Sequence, residues 1–179
     1  MVTFFLAEVL MVRNVKALFL LLILILASAA AAQSGPPGAS SPQPPPDKMK
    51  AGVAHFEKAF YDLTPKKRDA EASAEFDLAI AAFESALVDQ PASAEAHTYL
   101  ARIHAARKNF KQAAAHYDRV AAIEPFNVDA CVLAALAYVD ANDVPEARRR
   151  LAEARLRTRD PDVLARLDTY VAKLDALKK

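Results

Sequence analysis

The stretch AAAHYDRVAAIEP, residues 113–125, constrains this chain more than any other, because it recurs. Moved upstream by 34 positions it lands on AIAAFESALVDQP, residues 79–91, and moved downstream by 34 it lands on ARRRLAEARLRTR, residues 147–159. Ala79, Ala113 and Ala147 align, as do Phe83, Tyr117 and Leu151, and then Ala86, Val120 and Ala154. Pro91 and Pro125 close the first two copies; the third carries Arg159 there, with proline delayed to Pro161. Self-similarity at such a period means stacked units, none of which buries its apolar face alone.

Each column has a physical reason. An alanine lets a second helix approach closely, and the large residue four positions on lies one turn away on the same face, where it fills the space beside the contact. Proline then ends the helix and redirects the chain. Composition agrees with helices: alanine is heavily used, and the 179 residues hold three glycines and no tryptophan. The formal net charge of +1 gives no bulk field to draw the chain to nucleic acid or an anionic membrane. A single cysteine, Cys131, excludes an internal disulfide framework and a multi-cysteine metal site.

The pattern A-x3-[FYL]-x2-small-x4-P at this period resembles the second helix of the tetratricopeptide repeat. The first helices agree more loosely. Leu100, Ala101 and His104, and then Ala134, Ala135 and Tyr138, take the places the family usually gives to Leu, a small residue and Tyr; His97 and Cys131 stand where it often has Trp. The resemblance implies an all-α fold, a right-handed α-solenoid of about three helix pairs near 48–93, 94–127 and 128–160, with 161–179 as a capping helix. In the first unit KMKAGVAHFEKAFYDL is followed by TPKKRDAEASAEFD before Ala79, roughly ten to fifteen residues more than the family unit. We expect an elongated hairpin with Thr64–Pro65 as its turn and Lys66, Lys67 and Arg68 as a basic tip; a different irregular loop is the alternative. Residue 161 onward starts cleanly, with Asp160 as N-cap and Pro161 at the first helical position. Leu164, Leu167, Val171 and Leu174 then make one apolar stripe, as a solenoid cap needs.

Ahead of the repeats, residues 13–34 read RNVKALFLLLILILASAAAAQS. A short basic region, an apolar run and small residues at Ala30 and Ala32 form the pattern of a secretory signal peptide over 1–32, with translation expected to start at Met11. The apolar run is short for a bilayer span of about 20 residues; an uncleaved anchor is the alternative. Six of the fifteen residues 33–47 are proline, which predicts a disordered, partly polyproline linker.

Chemistry is sparse. There is no phosphate-cradling glycine motif, no G-x-S-x-G and no H-E-x-x-H, so we expect no catalytic residue and no cofactor. His97 and His104 share a helix face, and Cys131 is the repeat-equivalent of His97, but three groups fall short of the usual four ligands and read as packing positions, with no metal expected. Cys131 reads as a small buried hydrophobe. His55 and His116 have no partner in sequence and read as surface or boundary residues. Arg148, Arg149, Arg150, Arg155, Arg157 and Arg159 crowd the last unit, yet Glu146, Glu153, Asp160 and Asp162 intersperse them and stacking aromatics are absent, so a salt-bridged, solvated face is favoured over nucleic-acid binding.

The resemblance also implies a concave groove lined by first helices: Glu95, Thr98, Arg102 and Ala105 from the second unit, Asp129, Val132, Leu136 and Val139 from the third. The Lys/Asn set of the family's carboxylate-clamp subclass is missing. Val132, Leu136 and Val139 make an apolar patch that either receives a partner or is covered by the C-terminal helix. The expected function is a non-catalytic scaffold or adaptor of a bacterial cell envelope, periplasmic or secreted, that binds a peptide or protein in this groove. Self-assembly through the long first hairpin or the C-terminal helix is the alternative, and a metal- or thiol-dependent enzyme comes third. Membrane contact is expected only through an uncleaved N-terminal segment, and a homo-oligomer stays open.

Overall fold

The computed structural model describes residues 46–176; the expected signal peptide, the linker up to residue 45 and the last three residues lie outside them. Among the described residues seven α-helices follow one another: α1 Pro46–Glu57, α2 Asp69–Asp89, α3 Ala94–Ala106, α4 Phe110–Ile123, α5 Val128–Asp140, α6 Val144–Leu156 and α7 Pro161–Ala176, with a π-helical segment Lys58–Leu63 continuing α1. There is no strand among the described residues. Each helix packs on the next, and α1 also touches α3. This is the α-solenoid of helix pairs that the 34-residue period encodes. The nine residues of the three aligned columns are all buried, and Ala79, Ala113 and Ala147 are completely so. Side chains such as Phe83 each contribute about 1.5–3 kcal/mol on burial.

The turn inside each pair is the same structure three times. In the second, the N–H of Asn109 donates to the carbonyl of His104 and that of Lys108 to Ala105; in the third, Asp143 donates to Tyr138 and Asn142 to Val139; in the first, Arg68 donates to Leu63 and Lys67 to Thr64. These paired bonds satisfy the last carbonyls of the first helix. They require one left-handed residue, and Lys67, Lys108 and Asn142 have φ of 57°, 61° and 60°. Between pairs the chain enters the next helix through a side-chain cap: Ser93 Oγ accepts from the N–H of Ala96, and 34 residues later Asn127 Oδ1 accepts from Ala130.

The first pair is elongated. Its second helix has 21 residues against 14 in α4 and 13 in α6, and the turn falls at 64–67. α1 begins at Pro46, so the last two residues read as linker belong to a helix. Proline costs nothing as a first helical residue because its missing N–H would have no intrahelical partner there. Gly52 allows α1 to lie directly on the ring of Phe83. At the other end Leu167 and Leu174 of α7 are buried while Asp162, Arg166, Asp168, Lys173 and Asp175 are exposed. Ion pairs Arg148–Asp175 and Arg155–Asp168 tie α7 to α6. No helix of the described residues is long and apolar enough to cross a membrane.

Candidate partner-binding face

The π-helical segment changes what the first pair presents. A turn closed five residues back, with the Thr64 N–H donating to the Ala59 carbonyl at 3.0 Å, shifts the register of the side chains relative to an α-helix. Phe60 and Tyr61 lie in that segment, and both reach toward α3. The guanidinium of Arg102 sits 4.7 Å above the ring of Phe56 and 5.8 Å from those of Phe60 and Tyr99. Its Nη2 donates to the Tyr61 hydroxyl at 3.2 Å. The rings support one another: Phe56 stacks on Phe60 at 5.3 Å, Phe60 meets Tyr61 edge-on at 5.1 Å, and Tyr99 stacks on the buried Phe83 at 4.9 Å. Tyr61 is 56% exposed. Among the described residues Arg102 has no carboxylate in ion-pair range, unlike Lys48, Arg107, Arg150 and Arg157. The arrangement is a cation held flat on an aromatic platform with hydrogen-bonding capacity left over.

The expected groove residues divide. Arg102 belongs to this platform. Glu95 and Asp129 are exposed, and Thr98, Ala105 and Val139 are half-buried; the Thr98 hydroxyl is turned back on the carbonyl of Ala94 at 2.8 Å. Val132 and Leu136 are only 7% and 8% exposed, so this part of the patch is covered and not open. The apolar surface that stays available on the first helices therefore lies on the first two pairs. The basic tip is largely neutralised, since Lys66 pairs with Asp62 and Arg68 with Glu71. Phe56, Phe60, Tyr61 and Tyr99 were missed by the spacing argument; the run HFEKAFYDL, aromatic at Phe56, Phe60 and Tyr61, is the signal that marks the first three.

Other chemistry-bearing residues fall elsewhere. Cys131 is fully buried, and burial pushes its thiol up from the usual range. Five of the six arginines of the last unit are engaged: Arg150 reaches Asp118 at 2.7 Å and Glu153 at 2.9 Å, Arg157 donates to the Ala121 carbonyl at 2.7 Å, Arg149 pairs with Glu146, and Arg148 and Arg155 pair with Asp175 and Asp168. Asp118 also accepts from the Tyr138 hydroxyl at 2.9 Å, and burial is the main reason its carboxyl is raised. His55 and His116 are not the lone residues the sequence suggested. His55 Nδ1 lies 2.6 Å from Glu75 Oε2, and Lys58 bonds the other oxygen at 2.6 Å, which holds the Glu75 carboxyl below its usual range. His116 sits with His97 and His104, 19 and 12 residues away, because helix pairing brings α4 onto α3. Among the described residues no group of three or more His, Cys, Asp or Glu could hold a metal ion.

Two family models, both described as tetratricopeptide repeat, match residues 68–128 and 105–167. No curated protein matches the chain. Among solved structures, the N-terminal domain of stress-induced protein-1 from C. elegans is 16% identical, with 72% of this chain and 97% of that chain covered at a TM-score of 0.49. The C-terminal repeat domain of a putative FK506-binding protein of Plasmodium falciparum is 22% identical, with 74% and 94% covered at 0.45. The first such domain of Spaghetti, solved with an HSP90 peptide, is 14% identical, with 71% and 95% covered at 0.47.

Proposed function

We propose that this chain, which carries tetratricopeptide repeats over residues 68–167, is a non-catalytic scaffold that holds a peptide or protein segment against the first two helix pairs. Such repeats are in general protein–protein interaction modules. The observation that carries the reading here is Arg102, a cation spread on Phe56, Phe60 and Tyr99 and bonded to Tyr61, with no carboxylate of its own among the described residues. A rigid aromatic platform loses little conformational entropy on binding, and aromatic and arginine side chains dominate interface energetics. A bound segment would lie along α1, the π-helical segment and α3.

Arg102→Gln keeps the stem and removes the charge; Tyr61→Ala removes the exposed ring. Both should leave the helical circular dichroism intact and weaken recovery of the native partner about tenfold or more, the scale of one hot-spot side chain. Unchanged recovery with both variants folded rejects the face. Leu136→Asp is no test of binding, because Leu136 is buried.

A second reading is self-association. Val88, Phe126 and Leu156 are 80%, 91% and 88% exposed and all lie where one pair passes to the next. Light scattering that gives a strict monomer at high concentration removes it. For location, we read the chain as exported, periplasmic or secreted, from residues 13–34. N-terminal sequencing of the mature protein should begin at Gln33; an intact N-terminus in the membrane fraction supports the anchored alternative.

A further inference from the structure

His97, His104 and His116 occupy the seam between α3 and α4. His97 Nδ1 and His116 Nδ1 lie 3.0 Å apart, and the His104 and His116 rings stack at 5.4 Å with 8° between their planes. His97 Nε2 lies 3.3 Å from the Pro91 carbonyl, which only accepts, so Nε2 carries the proton. In a neutral His97 the Nδ1 is then an acceptor, and His116 Nδ1–H donates to it. His104 Nδ1 is buried with no hydrogen-bond partner among the described residues. We propose that these three imidazoles form a proton-sensitive joint, closed while all are neutral and opened when they take up protons.

The cations around the joint oppose protonation. Arg119 of α4 repels charge on His97 and His116, and Arg107 at the end of α3 repels charge on His104. Two groups favour charge: among the described residues Glu84 of α2 is the one carboxylate acting on the cluster, on His104 alone, and the Pro91 carbonyl favours it on His97. A proton on His97 Nδ1 sets two N–H groups against each other at 3.0 Å. A proton on His116 Nε2 keeps that bond but places a cation between two imidazoles and beside Arg119. Burial is the largest reason that all three are held below the usual histidine range, His116 at about 4. The opened seam exposes imidazoles with an ordinary pKa of about 6.5, so it binds more protons than the closed one. Closure is therefore complete at neutral pH and is progressively lost as pH falls from about 6.5 toward 4.

Hydrogen exchange on the full chain at pH 7 and pH 5, corrected for intrinsic rates, tests this. After discounting for partial solvent screening, the amides of α3 and α4 should lose about tenfold of their protection relative to those of α5 and α6. His116→Gln should remove most of that loss. If the variant does not fold, histidine-selective NMR titration of the unaltered chain decides: His116 titrating well below 6 supports the joint. His116 titrating near 6.5, or equal protection at both pH values, overturns it.

Discussion

Replacing Gly52 by alanine sets helix propensity against packing, and the two predict opposite signs. Gly52 lies inside α1, where propensity alone makes alanine the better residue by about 0.8–1 kcal/mol. The added Cβ, however, would lie 2.7 Å from Phe83 Cε1 and 2.9 Å from Cδ1 and Cζ. Ordinary carbon contact needs about 3.5 Å, so the ring must retreat by roughly 0.8 Å. It has little room, for Phe83 is fully buried and stacked on Tyr99 at 4.9 Å with 7° between planes, and Tyr99 meets Phe56 at 5.2 Å. Overpacking of this kind costs about 1–3 kcal/mol. The expected net effect is a loss of about 1 kcal/mol, read as a lower urea midpoint at unchanged slope. Phe83→Leu in the Gly52→Ala background should recover part of it, the pair costing about 1 kcal/mol less than the sum of the singles. A Gly52→Ala variant more stable than the parent would refute the close approach of α1 to α2.

Three other outcomes follow from the same structure. Lys108→Gly should stabilise by about 0.5–1 kcal/mol in urea unfolding, because glycine takes the left-handed turn position without a Cβ penalty; Asn142→Gly should gain less, since asparagine tolerates it. Arg107→Ala should destabilise by about 1–2 kcal/mol, since Arg107 bonds the Ser73 carbonyl at 2.6 Å and Asp77 at 2.8 Å and so pins the second turn to the elongated α2; a loss below 0.3 kcal/mol makes those bonds incidental. Cys131, fully buried with its thiol pushed up, should react with a thiol reagent only as fast as the chain opens, and labelling at the rate of a free thiol in folded protein contradicts its burial.

What the sequence disclosed and what it hid differ in kind. Ala113, Tyr117 and Val120 were legible because their contacts are set by spacing along one helix and repeated by its copies. The turn at 64–67 was legible from proline and a local excess of polar residues. The Arg102 platform was half legible: register within α3 pointed to Arg102, but Phe56 comes from α1, and Phe60 and Tyr61, the latter 41 residues upstream, come from a segment whose π-helical register no periodicity argument contains. The three histidines were hidden for a related reason. His97 and His104 share a helix face by their spacing of seven, whereas His116 joins them only through the crossing of α3 and α4. Val132 and Leu136 carried an ambiguity that only the packed structure resolves, since an apolar stripe reads the same whether a partner or the chain itself covers it.

The central claim is that partners are held on the face built by the π-helical segment and α3. Photo-crosslinking in the native setting, with the reactive side chain placed in turn at Tyr61, Thr98, Val88 and Leu156, tests it most directly. The account predicts one shared crosslinked species from Tyr61 and Thr98, lost with Arg102→Gln, and little from Val88 and Leu156. Strong crosslinks from Val88 and Leu156, unaffected by Arg102→Gln, would contradict it and move the interaction to the edge where one pair passes to the next.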